Sequence, residues 1–313
     1  MLFSVLIANY NNSRYLEMAL QSVFRQSYAH WEIVLVDDGS TDNFEEVIQP
    51  YLTNPKINIY RNGNNAGCGY TKRKCAEKAR GLLMGFLDPD DALHIDAIKI
   101  MVEAHIQKPT CSLISSTHFI CDELLAVKRI ADYPRPLPPG TPYLLVGDGR
   151  IHSFATFKKS CYDNTAGISP ANKKAVDQDL YYKLEETGDL FFINQSLYYY
   201  RIHAGAISNA GREGDAIKSH YAIVEEACLR RIKNLKAQLP NSKYLIKKYR
   251  TRYFKIRILN SFRKKNWLLF VYSLMVFPFV GGIENIISYL KKLPVEGVNL
   301  IKQSFINNYE IKP

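Results

Sequence analysis

Several features common in other protein classes are missing from this chain, and each absence narrows the field. The six cysteines (Cys68, Cys75, Cys111, Cys121, Cys161 and Cys228) form no Cys-x-x-Cys pair and no zinc-like spacing with histidine. A zinc module or a disulfide scaffold is therefore disfavoured, and reduced thiols are expected. The start shows no basic stretch, apolar core and cleavage site in series. Phe3-Ser-Val-Leu-Ile-Ala8 is too short for a signal peptide, so work on the cytosolic side is expected. There is no internal repeat and no low-complexity tract.

Acid is missing from one region. Between Arg230 and Lys265 there are fourteen Lys and Arg and no Asp or Glu, leaving 27 basic against 30 acidic residues elsewhere. The net charge of +11 thus belongs to the tail and says little about an active site. Long apolar runs are also scarce. Residues 267–283 are apolar, but 17 residues broken by Pro278 and Gly281-Gly282 fall short of the ~20 that span a bilayer. An amphipathic or shallowly inserted helical region with basic residues toward anionic headgroups fits better. Packing as a helical bundle, on the rest of the chain or in a homodimer, is the alternative. Nucleic acid is not an expected partner.

What is present suits a buried core, with 47% hydrophobic and 23% charged residues. The first hundred residues alternate between two hydrophobic periods. Apolar runs at Phe3–Asn9, 32–36, 57–60 and 82–87 predict strands. Helices are predicted from Ser13, with Leu16, Leu20, Val23 and Phe24 on one face; over 44–52; over 72–80, stopped by a left-handed Gly81; and with Ile95, Ile98, Val102 and Ile106 on one face, ending before Pro109. This alternation predicts a parallel, doubly wound sheet. The Pro- and Gly-rich passage 133–142 reads as a loop to a second half.

Ligands of such sheets bind beyond the carboxyl ends of the strands, and two acidic clusters fall there. In Asp88-Pro89-Asp90 two carboxylates lie two residues apart, on one side of extended backbone. Such a pair repels unless a cation or a hydroxyl sits between, and Mg²⁺ or Mn²⁺ with a nucleotide diphosphate would complete the shell. The alternative is a simple cap on the next helix. Asp37-Asp38-Gly39-Ser40 offers a carboxylate to a base N–H or a ribose hydroxyl, or else is a solvated turn.

Taken in order, these segments resemble the inverting glycosyltransferases of the GT-A fold, family 2, over residues 2–209. Ser4-Val-Leu-Ile-Ala-Asn-Tyr-Asn11 is similar to the opening strand and Tyr-Asn signature, with Ala8 where proline is usual. Val36-Asp-Asp-Gly-Ser-Thr-Asp42 resembles the nucleotide-binding motif, Asn65-Ala-Gly67 the Asn-x-Gly loop, and Phe86-Leu-Asp-Pro-Asp-Asp91 the Asp-x-Asp-Asp motif. Val176-Asp-Gln-Asp-Leu180 resembles Glu-Asp-x-Asp-Leu, with valine in place of glutamate. Tyr199-Tyr-Arg-Ile-His203 with Ser208 resembles the Tyr-Arg-x-His segment. Lys72-Arg73 stands where Arg-Asn is common.

The resemblance implies an α/β GT-A fold, Rossmann-like with a doubly wound, mainly parallel sheet, to which the composition of the tail adds a C-terminal helical extension. It implies a nucleotide-sugar-binding half (1–120) and an acceptor-binding half (121–215), followed by the basic, apolar extension (216–313) read from composition. The implied donor is a nucleotide-sugar, UDP-linked by family preference, and the acceptor a glycan or lipid-linked glycan hydroxyl. Ala8, Tyr10, Asn11, Asp37, Asp38, Asn65, Gly67, Lys72, Asp88, Asp91 and Arg201 would meet the donor. Asp90 and His203 would hold Mn²⁺ or Mg²⁺, and Asp177 would be the catalytic base. Peripheral attachment to the inner face of the cell membrane follows from the tail. A nucleotidyltransferase would also use paired aspartates, but Asn9-Tyr10-Asn11-Asn12 is no Gly-rich, basic phosphate loop. An inactive binding module is the other alternative, raised by Val176.

Overall fold

In the computed structural model, residues 1–147, 149–203, 213–238 and 242–281 are described. Phe3–Asn9 (β1) is apolar at nearly every position because both of its faces are covered. It lies between Trp31–Asp37 (β2) and Leu83–Phe86 (β4), parallel to both, with Ala8 opposite Val36 and Leu6 opposite Phe86. Ile57–Arg61 (β3) extends this parallel half at its edge. The intervening helices are α1 (Ser13–Phe24), α2 (Phe44–Ile48) and α3 (Cys68–Lys78). Phe3, Val5 and Ile7 pack with Leu16, Leu20 and Val23 of α1 in the main core. Each such side chain, fully buried, contributes roughly 1.5–3 kcal/mol.

The second half departs from the parallel pattern. The short β5 (Ala92–Leu93) precedes α4 (Ala97–Gln107), β6 (Cys111–Cys121) and β7 (Val127–Ile130). After α5 (Tyr143–Val146) come β8 (Ala155–Lys158), α6 (Lys159–Asp163), α7 (Val176–Leu184) and β9 (Asp189–Arg201). The sheet order is β3-β2-β1-β4-β8-β6-β9-β5, with β7 on β6. β8 runs antiparallel to β4 and β6, whereas β6 and β9 are parallel. The predicted doubly wound sheet is therefore present as a parallel half continued by a mixed one. One pairing positions the site: β5 follows Asp88–Asp91 directly and pairs with Tyr198-Tyr199, so that acidic turn meets the end of β9.

Some local expectations are corrected. Ser13 is the first helical residue, and its side chain caps nothing; the backbone N–H of Ser13 instead donates to Asp42 Oδ2 at 2.8 Å. The helix predicted at 72–80 starts at Cys68 and stops at Lys78, followed by extended Ala79. Gly81 is not left-handed; a Cβ there would lie 2.6 Å from Ser4 Oγ, so close packing requires the glycine. Ile95 and Ile106 are exposed, and α4 buries Ile98, Met101, Val102 and His105. Over 44–52 the α-helix gives way to a 3-10 turn at Gln49–Tyr51.

The chain divides into two compact units, Met1–Ala216 and Ile217–Pro313. The helical extension comprises α8 (Glu213–Gln238), which begins at the end of the first unit, and α9 (Lys243–Arg263) and α10 (Trp267–Gly281) in the second. Ile258, Phe270 and Phe277 make a small core between α9 and α10, and Asn260 donates to Glu225 of α8 at 2.6 Å. The apolar run is helical as far as Gly281; residues 282 and 283 lie outside the described residues. No helix among the described residues is long and apolar enough to cross a membrane.

Candidate active site

The carboxyl ends of β1, β2 and β3 carry a hydrogen-bonded frame. Asp38 is buried and accepts from Asn62 Nδ2 at 2.7 Å and from the backbone N–H groups of Ala66 and Gly67, both at 2.9 Å. It therefore shapes the Asn65-Ala-Gly67 loop, in which Gly67 takes φ +95°. Asn11, left-handed at φ +50°, accepts from the Thr41 N–H and donates its own N–H to Ser40 Oγ. Tyr10 and Asn65 are exposed beside this frame, and Ala8 is half-buried in β1.

Asp37 was expected at the donor but is fully buried under the frame. It accepts from Ser40 N, Ser40 Oγ and Asn9 Nδ2, and carries no exposed surface. Those bonds consume the oxygens a ligand would need, so Asp37 holds the turn in place.

Lys72 and Asp177 are brought together from α3 and α7, 105 positions apart in sequence. Lys72 Nζ donates to Asp177 Oδ1 at 2.9 Å and lies 3.2 Å from Asp88 Oδ1. Burial alone would push the ammonium pKa down. Asp177, then Asp88, more than offset this and hold it well above the ordinary value. The approach depends on Gly69, where a Cβ would sit 2.3 Å from Asn172 O and 2.5 Å from Ser169 O. Asp177 lies in the first turn of α7, where the helix dipole favours a carboxylate. Val176 beside it is buried, while Asp177 keeps 42% of its side chain exposed.

The Asp88–Asp91 turn divides its labour. Asp91 is buried and accepts from Tyr198 Oη at 2.8 Å and from the Arg201 N–H at 2.7 Å, so it anchors β9. Asp90 Oδ2 lies 3.0 Å from His203 Nε2. Burial first, then Asp88, raises the Asp90 pKa, and burial first, then Asp90 and Asp88, raises that of Asp91 well above normal. Burial and the neighbouring carboxylates together make the charged forms costly here.

Arg201, expected on the diphosphate, is only 2% exposed. Its guanidinium donates to the Asp90 and Glu123 carbonyls and stacks 4.5 Å over the Tyr15 ring. Those two bonds clamp the β6–β7 turn to the acidic turn, and the third nitrogen, Nη2, faces Met18 Sδ at 3.3 Å.

Among the described residues no three His, Cys, Asp or Glu side chains gather as metal ligands. The Asp90–His203 pair nonetheless fits a hard divalent cation. Adjacent corners of an octahedral shell with bonds of ~2.1 Å lie about 3 Å apart, and phosphate oxygens and water would supply the rest.

Three contributors carry no sequence motif. Tyr198 is buried, accepts from the Asp88 N–H at 3.1 Å and donates to Asp91, joining both ends of the acidic turn to β9. Tyr15 packs 4.8 Å from His203. His152 packs against His118, Tyr133 and Tyr200. Burial lowers its pKa, which Asp177 and Asp88 oppose, so its ring lies within the field of the site. Tyr198 and Tyr15 lie close in sequence to motif residues, Tyr199 and Asn11, whereas His152, in a loop, carries no sequence signal at all. All six cysteines are free thiols.

A parallel half-sheet whose strand ends gather acidic turns is the architecture of an α/β enzyme with its site beyond the strand ends. Residues 4–165, just over half the chain, match the family described as "Glycosyl transferase family 2". The chain belongs to that family. It is 26% identical to the chondroitin synthase of Escherichia coli over 266 residues, 85% of this chain and 36% of that protein. It is 25% identical to the hyaluronan synthase of Pasteurella multocida over 72% of this chain and 23% of that protein. The chain thus spans about a third or less of these relatives. Among solved structures, S. aureus TarS 1–349 in complex with UDP-GlcNAc matches with TM-score 0.65 and 18% identity, covering 90% of this chain and 82% of that one. The mannosyltransferase PcManGT from Pyrobaculum calidifontis, in complex with GDP-Man and Mn²⁺, matches with TM-score 0.53 and 13% identity over 98% of this chain and 81% of that one. The fold is the GT-A arrangement that the sequence motifs imply.

Proposed function

We propose that this glycosyltransferase moves a hexosyl or N-acetylhexosaminyl group, with inversion, from a UDP-sugar to an acceptor hydroxyl of a surface polysaccharide or lipid-linked glycan. The observation that carries this reading is the meeting of Asp88 and Asp177 at one buried ammonium, 3.2 and 2.9 Å away. A donor-side carboxylate and a base candidate then flank a single space. The names of the relatives, chondroitin and hyaluronan synthases, and the UDP-GlcNAc complex of TarS support the substrate class.

In this mechanism Asp177 Oδ2 takes the proton of the acceptor hydroxyl while Oδ1 stays bonded to Lys72. The acceptor oxygen bonds to the anomeric carbon as the bond from that carbon to the diphosphate oxygen breaks. Attack on the face opposite the leaving group inverts the centre. Asp90 and His203 would hold Mn²⁺ or Mg²⁺, which supplies positive charge for the departing diphosphate. Tyr10, Asn11, Asn65 and Gly67, with Ala8, would line the nucleotide, Asp38 holding the 65–67 loop and Asp91 the turn beneath it.

The second unit is proposed to lie on an anionic membrane surface at the inner face of the cell membrane. On α10, Leu268, Met275 and Phe279 are exposed, Leu268 by 88% and Phe279 by 90%, next to the acid-free segment. The test of the catalytic reading is nucleotide release over a panel of nucleotide-sugars, with and without Mn²⁺. Cation-dependent release from a UDP-sugar, stopped by EDTA, is expected; release unaffected by EDTA would remove the cation from the reading.

A further inference from the structure

Lys72 is a cation that solutes cannot reach, set between two carboxylates that they can. Its side chain is 8% exposed, against 40% for Asp88 and 42% for Asp177. The ammonium also lies 5.0 Å over the Phe86 ring, which fixes it from β4. Removing a charge from water is costly unless it is paired, so this ammonium is bound to keep a carboxylate partner. It has two, and the reaction uses them on different sides: Asp88 with the donor, Asp177 with the acceptor.

We infer that Lys72 is a positioning residue, an internal cation shared by Asp88 and Asp177, with which a divalent cation beside Asp90 competes for Asp88. The inference rests on the function proposed above. A cation at Asp90 and His203 adds positive charge next to Asp88 and satisfies it. Lys72 is then drawn toward Asp177, holding Oδ1 and leaving Oδ2 toward the acceptor. Loading of the donor side is thereby tied to the aim of the base, with one ammonium as the link. No other charged side chain touches both carboxylates among the described residues.

The test is Mn²⁺ binding to the full-length protein without nucleotide, read as free Mn²⁺ by electron paramagnetic resonance. Lys72→Met, and Lys72→Gln in case the first folds poorly, should tighten Mn²⁺ about tenfold by removing a competing charge. Lys72→Arg, which keeps the charge, should stay within about twofold. Asp177→Asn should weaken Mn²⁺ severalfold, because Lys72 then belongs wholly to Asp88. In the Lys72→Met background that effect should shrink at least threefold. Unchanged or weaker Mn²⁺ binding in both Lys72 variants would overturn the inference, as would an Asp177→Asn effect of equal size in both backgrounds. An additive cycle in a protein that binds Mn²⁺ and releases UDP sinks this inference alone. A wild-type protein that binds no Mn²⁺ even with UDP sinks the cation reading, and the inference with it.

Discussion

Tyr198 shows how much a single side chain can carry at this site. Its hydroxyl accepts from the Asp88 N–H and donates to Asp91, so Tyr198→Phe leaves a buried carboxylate short of one donor. A loss of about 1–3 kcal/mol is expected in chemical denaturation. Turnover should fall further than stability alone explains, because Asp88 loses its anchor. At this scale the motifs located the site, but not the division of tasks within it. Asp88 and Asp177 meet at Lys72, and Asp90 meets His203. Asp37 and Arg201 sit in the same motifs yet face inward, because a motif records which residues are needed and not whether they touch a ligand or hold one that does. The Lys72 bridge joins positions 105 apart, and no local pattern reports such a distance.

Among the elements, α3 and α7 decide whether that bridge forms, and Gly69 sets their approach. Gly69→Ala would drive a methyl into the carbonyls of Asn172 and Ser169. It should cost about 1–3 kcal/mol and be visible as a lowered Tm, with activity falling alongside as Lys72 shifts. On α4, His105 faces Thr156 of β8 at 3.0 Å, and burial, with Lys158 adding to it, lowers its pKa to about 4. Above pH 6.5 the ring is neutral in both folded and unfolded chains. Between 6.5 and about 4 only the unfolded chain gains the proton, so stability falls as pH falls through that window, by at most about 3 kcal/mol. His105→Gln should flatten this part of the stability profile; an unaltered slope would show that other groups cause it. The first four strands and the helices among them were legible because hydrophobic period follows burial directly. The start of α3 was not, since Cys68, Gly69 and Tyr70 carry little helical preference and are held by packing on residues 169–172. The antiparallel β8 was equally hidden, because strand direction depends on the path of a long irregular loop.

At the scale of the whole molecule, the charge asymmetry read from composition corresponds to a separate helical unit, and α10 turns part of its apolar surface outward. Flotation with vesicles containing anionic lipid should carry the full-length protein. Leu268→Ser, Met275→Ser and Phe279→Ser together should abolish it, and equal flotation of both proteins would refute the membrane reading. Length also limits what carries over from relatives, since the synthases it resembles are about three or more times as long as the matched region. The proposed transfer of a single sugar rests on Asp177 as its base. The most direct test therefore compares wild-type protein and Asp177→Asn for sugar transfer with Mn²⁺, alongside UDP titration of both. The account predicts that transfer falls at least 1,000-fold, a loss on the order of removing a general base, while UDP affinity changes by less than about threefold. Near-normal transfer by Asp177→Asn would contradict it.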